Sequence, residues 1–417
     1  MPATLPAAPT LGMMSMSPIA MPEHGRALTV IDVPAGPSCV DVLWTPLESA
    51  LAGGPPIAVI PQSSSSTPIA MVEAMRESVR PDALVDDGTA VVVSTSGSTG
   101  RPRGVCLSAS ALTAFTAHVN ALVGSEPTWV LALPPTSIGG LNVMIRALAT
   151  GRAPIAVASV GGAERFTDMG FADAVSAAGQ LDHPIAVSLV PTQLPRLLES
   201  TIGRQALSHC ALILVGGAAL TPHAARDCAD AGIAITTTYG MTETSGGCVF
   251  DGQPLPGVRV RVDDTDGRIY LAGPMLAQGY RDGADECFEG GLLRTSDRGR
   301  WADGRLQVLG RLDDVVMVNG VNVDLIAVED RANDHPAIES AIAVAVEDDG
   351  DTRVHVIFTG HDLELRDIRD WIASTLGPPG APTGIHRVDS FVLTTSGKID
   401  RRATAGRLDL QPIAEEL

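Results

Sequence analysis

The feature that most constrains the fold is an alternation. Short apolar, β-branched runs at Ala90 to Ser94, Trp129 to Pro134, Pro154 to Ser159, Ile185 to Val190, Ala211 to Val215 and Ile233 to Thr238 are separated by amphipathic stretches such as Ser108 to Val123, Gly140 to Thr150 and Thr192 to Ser200. Runs that are apolar along their length suit strands covered on both faces, and the stretches between them can cross back as helices. The first 240 residues therefore predict a doubly wound α/β unit with parallel strands.

Beyond Gly240 the texture changes. Val258 to Val262, Arg268 to Ala272, Arg300 to Trp301 and Leu306 to Gly310 are short strand patterns punctuated by Gly, Asp and Pro, as in a small β-rich subdomain or distorted barrel. After Gly310-Arg-Leu-Asp-Asp314 come an apolar run Val315 to Asn319, a Gly320-Val-Asn322 turn and a helical stretch Asp324 to Asn333. Strand patterns at Ala341 to Val346 and Val354 to Phe358, a helix Glu364 to Leu376 and a Pro/Gly-rich loop Gly377 to Gly384 follow. The expected division is a loose N-terminal tail over residues 1–25, a large domain over 26–310 and a small α+β domain over 311–417, which moves about a hinge. A chain of 417 residues, 45% hydrophobic, can fill both cores.

Charge and cysteine narrow the function class. A net charge of -19 argues against a general nucleic-acid or anionic-membrane surface, which would need a basic patch. Cys39, Cys106, Cys210, Cys228, Cys248 and Cys287 are scattered, with no CxxC pair and no metal-like spacing, so reduced thiols in the cytoplasm are expected. The first basic residue is Arg26, unlike a signal peptide, and no run is apolar for long enough to span a membrane. A homodimer is left open. Of 29 basic residues 28 are arginine; the one lysine is Lys398. A chain under arginine bias keeps lysine where a compact, flexible ammonium cannot be replaced by a planar fork, although a survivor on a solvated loop would read the same.

Two segments carry chemistry. Ser94-Thr-Ser-Gly-Ser-Thr-Gly-Arg-Pro-Arg103 follows a predicted strand end; its glycines and hydroxyls let backbone N–H and O–H donors wrap phosphate oxygens, with a basic residue to close the loop. No Lys-Ser/Thr pair follows the second glycine, so it is not a GxxxxGK[ST] loop. In Thr236-Thr-Thr-Tyr-Gly-Met-Thr-Glu-Thr-Ser-Gly-Gly247, Glu243 offers a hard oxygen ligand for Mg²⁺, Thr242 a hydroxyl for a phosphate and Tyr239 a ring to lie against a base. Read alone, it could also be a simple turn.

In the order loop, Tyr-Gly-Met-Thr-Glu, Thr295-Ser-Asp297, Gly310-Arg311-Leu-Asp313 and Ser396-Gly-Lys398, these motifs resemble the adenylate-forming superfamily of acyl-CoA synthetases, peptide adenylation domains and luciferases, from about Ser94 to Arg401. The resemblance implies an ATP site built from Ser94, Thr95, Ser96, Gly97, Ser98, Thr99, Gly100 and Arg103, with Gly216, Gly217, Ala218, Tyr239 and Gly240 around the adenine. It implies that Thr242 meets the α-phosphate, Glu243 the magnesium and Asp297 the ribose, with Arg311 beside it. Asp313 matches the hinge, and Lys398 the lysine that reaches the α-phosphate and substrate carboxylate. The implied co-substrates are ATP and CoA.

The chemistry needs such residues, because an enzyme that activates a carboxylate must bring two anions together and stabilise a pentavalent phosphorus. One site is then used twice, with the small domain swinging so that Lys398 leaves and a thiol route forms. Two positions depart from the pattern: the loop ends in Pro102-Arg103 where Pro-Lys is usual, with grip retained in altered geometry, and the turn after the hinge reads Asn319-Gly-Val-Asn322. The chain also lacks much of the usual N-terminal subdomain.

Compactness and the runs Leu133 to Arg146, Ser188 to Gln193 and Thr244 to Asp251 look most like the o-succinylbenzoate:CoA ligases of menaquinone biosynthesis, in their actinobacterial forms. Their aromatic substrate is a dicarboxylate, so a second anion needs a partner, and Arg146, after the Gly139-Gly140 turn, is the candidate. Gly140, Ser188, Thr192, Ser245 and Gly246 would line the rest of the acyl pocket. Another acyl- or aryl-CoA ligase, or a non-catalytic acyl-adenylate binder, are the alternatives. His118, His183, His209 and His223 are assigned no chemistry.

Overall fold

The computed structural model describes residues 25–64, 67–95, 102–318, 320–348, 351–394 and 397–413. Residues 1–24 of the expected tail, residues 96–101 of the Ser/Gly-rich loop, Asn319 and Ser396 lie outside that set.

The chain begins with β1 (Thr29–Val33), α1 (Ser38–Leu51), β2 (Ile57–Pro61), α2 (Ile69–Val79), β3 (Thr89–Thr95), β4 (Arg103–Ser108), α3 (Ala109–Thr113) and α4 (Thr116–Ala121). It continues through β5 (Thr128–Leu131), α5 (Ile138–Ala149), β6 (Ile155–Ala156), α6 (Asp168–Gly179), β7 (Ile185–Leu189), α7 (Leu194–Glu199), α8 (Thr201–Ser208), β8 (Cys210–Gly216), α9 (Pro222–Asp230), β9 (Thr236–Met241), β10 (Gly246–Phe250) and β11 (Gln253–Pro254). Then come β12 (Arg259–Val262), β13 (Arg268–Ala272), β14 (Gly279–Tyr280), β15 (Phe288–Glu289), β16 (Leu292–Ala302) and β17 (Arg305–Arg311). The last part is β18 (Val315–Val318), β19 (Val321–Asp324), α10 (Leu325–Asn333), β20 (Ile338–Asp348), β21 (Asp351–Gly360), α11 (Leu365–Leu376), β22 (Gly384–Arg387) and α12 (Arg401–Gly406).

The α/β part forms two sheets, in orders β1-β2-β3-β4-β14 and β11-β10-β9-β8-β7-β5-β6. Strands β6, β5, β7, β8 and β9 are parallel, as fully covered apolar runs predict. β4 instead returns antiparallel to β3, with Ser94 opposite Gly104 and Thr95 opposite Arg103, so the Ser/Gly-rich loop joins the two strands of a hairpin. The parallel strands β1 and β2 precede the runs picked out from the sequence: β1 is a partly exposed edge with Asp32 inside it, and β2 is only five residues long. One core serves both sheets; Leu43 and Leu47 of α1, Trp129, Leu141, Met144 and Phe171 are all fully buried in it.

Strands β12, β13, β16 and β15, with β17 on β16, make the β-rich subdomain. The small domain is a β20-β21-β22 sheet, with α10 and α11 on one face and α12 on the other. Side chains cap the helices that flank the site: Thr221 accepts from Ala224 N before α9, Asp324 from Ile326 N before α10 and Asp400 from Ala403 N before α12. No helix among the described residues is long and apolar enough to cross a membrane.

Candidate active site

The carboxyl ends of β7, β8 and β9 open on one edge of the second sheet, where ligands collect in open α/β folds. β8 ends at Gly216, and β9 delivers Tyr239 and Gly240 before a single 3₁₀ turn, Thr242–Thr244. The turn is tied by its third residue: Thr244 Oγ1 accepts from Met241 N and lies 2.7 Å from the Gly246 carbonyl oxygen, to which it donates. Ser245 and Gly246 then take left-handed conformations, with φ of +51° and +102°. A β-carbon on Gly246 would lie 2.2 Å from Asn142 Nδ2, so only glycine lets α5 approach this closely.

Two tyrosines hold the acidic groups. The Tyr239 hydroxyl donates to Asp297 Oδ2 at 2.7 Å, and the Tyr280 hydroxyl to Glu243 Oε1 at 2.7 Å. Burial, and then the neighbouring carboxylate, push both phenols far above their ordinary pKa. Burial also raises the Asp297 carboxyl, against the pull of Tyr239, Arg311 and Lys398. Arg311 stands opposite Asp297 in the β16–β17 ladder, and its Nη2 reaches Asp313 Oδ2 at 2.6 Å.

Lys398 closes the cleft from the small domain. Its Cε lies 3.2 Å from where a β-carbon of Gly217 would be. The side chain keeps solvent contact, yet the surrounding protein lowers its pKa below the ordinary lysine range; Asp297 and Glu243 oppose that shift and Arg311 adds to it. One cation thus faces both candidate carboxylates.

On α5, Asn142 donates from Nδ2 to the Ser245 carbonyl at 2.8 Å, and Arg146 follows one turn later on the same face of the helix. Arg146 is only 7% exposed, with its guanidinium carbon 5.2 Å from the centre of the Trp129 ring, and no carboxylate among the described residues pairs with it. Burial alone pulls its pKa down to about 10. A buried guanidinium without a counter-charge is costly unless a ligand supplies one.

The other predicted residues divide. Ser94 is buried, with Oγ 2.9 Å from Ser78 Oγ, and Thr95 donates to the Arg103 carbonyl. Ser188 is buried on β7. Ser96, Gly97, Ser98, Thr99 and Gly100 lie outside the described residues. Three residues have other engagements. Arg103 makes a two-point ion pair with Asp282 and lies 3.5 Å over the Tyr280 ring, bracing the phenol that holds Glu243. Thr192 donates to the Gly397 carbonyl at 2.7 Å, across to the lysine loop. Gly140 is explained by packing, since a β-carbon there would lie 2.2 Å from the Pro134 oxygen.

Sequence reasoning missed Tyr280 and Asn142. Both left a signal: the chain has only three tyrosines, and Asn142 is a lone amide in the apolar stretch before Arg146.

Comparison with known proteins agrees with this arrangement. The family described as AMP-binding enzyme matches residues 39–281, and its C-terminal domain, AMP-binding enzyme C-terminal domain, matches residues 327–398. A protein of Mycobacterium tuberculosis named "Probable 2-succinylbenzoate–CoA ligase" is 34% identical over 390 residues, covering 91% of this chain and 98% of that protein. The 2-succinylbenzoate–CoA ligase of Salmonella typhimurium is 30% identical over 328 residues, 74% of this chain and 67% of its own. Among solved structures, the o-succinylbenzoate CoA synthetase MenE of Bacillus subtilis, in complex with the acyl-adenylate intermediate OSB-AMP, superposes with a TM-score of 0.69 at 21% identity over 94% of this chain and 90% of that one. The amide bond synthetase McbA of Marinactinospora thermotolerans gives 0.71 at 20% identity, over 92% and 90%. The chain belongs to the AMP-binding, adenylate-forming enzyme family.

Proposed function

We propose that the chain is an AMP-forming acid–thiol ligase that adenylates o-succinylbenzoate and passes the acyl group to CoA, a step of menaquinone biosynthesis, in the cytoplasm. The observation that carries the choice of acid is Arg146, a buried cation one turn beyond Asn142 on α5 with no carboxylate paired to it among the described residues. A monocarboxylic acid would leave it unpaired; the second carboxylate of o-succinylbenzoate would neutralise it. The relatives with that activity support the reading.

In the first half-reaction a carboxylate oxygen of the acid bonds to the α-phosphorus of ATP and the bond to pyrophosphate breaks. Lys398 and Thr242 stabilise the added charge on the phosphorus, and Asp297, Tyr239 and Gly216 to Ala218 hold the nucleoside. Glu243 fits Mg²⁺: one oxygen is steadied by Tyr280, and a single carboxylate completed by phosphate and water oxygens is a donor set that magnesium accepts. When bound, the ion would neutralise phosphate charge. In the second half-reaction the CoA sulfur attacks the acyl carbon and AMP leaves with the bonding pair, after the small domain has turned about Asp313 and withdrawn Lys398.

Pyrophosphate release measured across a panel of acids tests the assignment. The strongest response should be to o-succinylbenzoate, and no response to it would sink the choice of acid.

A further inference from the structure

The two domains meet along a seam that these roles leave unused. On β16, Asp297 faces the Tyr239 hydroxyl, while the next residue, Arg298, donates from Nη2 to Oδ2 of Asp324 in the small domain. Their side chains are 19% and 24% exposed, and Arg298 Nε is buried without a hydrogen-bond partner among the described residues. The other oxygen of Asp324 caps α10, accepting from Ile326 N at 3.0 Å. Beside this pair, Gly310 stands opposite Arg298 in the ladder, and a β-carbon there would lie 2.7 Å from Ile326 Cγ1. One ion pair and one close backbone approach therefore seat the start of α10 on the β16–β17 hairpin.

From that seat α10 reaches the lysine loop. Glu329, buried in α10, accepts from Arg401 Nε and Nη2 at 2.9 and 2.8 Å and from Ala343 N at 2.9 Å. Arg401 comes three residues after Lys398, and its Nη1 lies 3.7 Å from Asp314, next to the hinge residue. Hinge, helix and lysine loop are thus braced as one body. A second cross-domain pair, Arg226 with Asp334 at 3.9 Å, is far more exposed and holds correspondingly less.

We propose that Arg298 is a positioning residue for the first half-reaction: through Asp324 and α10 it sets where Lys398 stands relative to Asp297 and Glu243, and the pair parts when the small domain turns. The inference rests on the two-step reading above. Because Arg298 directly follows the ribose-binding candidate, nucleotide held at Asp297 stiffens the strand that carries the latch.

The test measures the two half-reactions separately in the full chain. Arg298→Gln should slow pyrophosphate release roughly 10-fold, within the usual range of coupling between sites, while thioester formation from supplied acyl-adenylate is unchanged or faster. Asp324→Asn, which can still cap α10, should do the same, and the double variant should be no slower than either single one. Arg298→Lys should recover part of the loss. Equal loss in both half-reactions, or losses that multiply in the double variant, would overturn the proposal.

Hydrogen exchange at the first turn of α10, measured without substrates, gives a readout independent of the acid. Arg298→Gln should speed it, and unchanged exchange would also overturn the latch. A wild-type protein that ignores o-succinylbenzoate would instead remove the substrate assignment alone.

Discussion

Replacing Arg146 with methionine should make the ligand-free protein more stable and a poorer ligase. Burial lowers the Arg146 pKa from the ordinary guanidinium range to about 10. A folded-state pKa below the unfolded one means that the charged form is disfavoured by folding, and the full penalty applies at every pH below about 10. At 1.36 kcal/mol per unit this is about 3 kcal/mol at neutral pH. Methionine keeps the apolar stem against Trp129 and removes the charge; the void left by the guanidinium takes back about 1 kcal/mol. A net gain of about 2 kcal/mol should raise the melting midpoint by about 4 °C in a domain of this size. Losing the buried partner of a carboxylate costs about 2–5 kcal/mol in binding, so the KM for o-succinylbenzoate should rise at least ~30-fold while that for ATP is unchanged. Thermal melting with and without a hydrolysis-resistant acyl-adenylate analogue reads both effects: the variant should melt higher alone and gain less from the analogue. A variant that melts lower and binds the analogue as before would make Arg146 a packing residue against Trp129.

Lys398→Ala should abolish most adenylation while thioester formation from supplied acyl-adenylate survives; equal loss of both contradicts the assignment. Because desolvation by the surrounding protein lowers the Lys398 pKa and only the ammonium can steady the phosphorus, adenylation should fall as pH rises through a value below 10.5, and a pH–rate profile of the thioester step should lack that limb. Tyr280→Phe frees Glu243 from its fixed orientation and should raise the Mg²⁺ needed for half-maximal adenylation several-fold, seen by titrating the metal at saturating ATP. Gly246→Ala sets a β-carbon 2.2 Å from Asn142 at a φ of +102°; it should cost about 1–3 kcal/mol of stability and damage the KM for the acid more than that for ATP, and an unchanged melting curve would refute the packing argument.

The parallel strands were legible because their burial on both faces writes apolar runs into the chain, as in Ile185–Leu189, buried throughout. The antiparallel return of β4 was not, since no local pattern distinguishes a strand that reverses through a loop from one that follows a crossover. The stretch Ser108 to Val123 reads as one helix and forms two, broken at Ala114 and Phe115, where the ring turns towards the cores instead of continuing the helical stripe. The site shows the same division. Glu243 and Asp297 announce themselves by motif, but the hydroxyls that aim them come from positions 37 and 58 residues away along the chain. Thr192 and Arg103 sit in motifs too, yet their hydrogen-bond partners, Gly397 and Asp282, are set by how the domains and the β14 strand pack.

The arginine bias of the chain acquires a structural limit from these contacts. At position 103 a planar fork is well served: Asp282 takes two of its nitrogens and its central carbon lies 3.5 Å from the centre of the Tyr280 ring, contacts that an ammonium would make less fully. At position 398 the wall is Gly217, whose missing side chain leaves room for the narrow end of a lysine, with Cε only 3.2 Å from the place of a β-carbon and Nζ at 4.0 Å. A β-carbon at position 217 would crowd that methylene, so glycine there leaves Lys398 its place near Asp297 and Glu243. The fork at position 103 is held by a carboxylate and a ring, whereas the amine at position 398 stands where a neighbouring β-carbon is missing, so the two basic positions are held by different means.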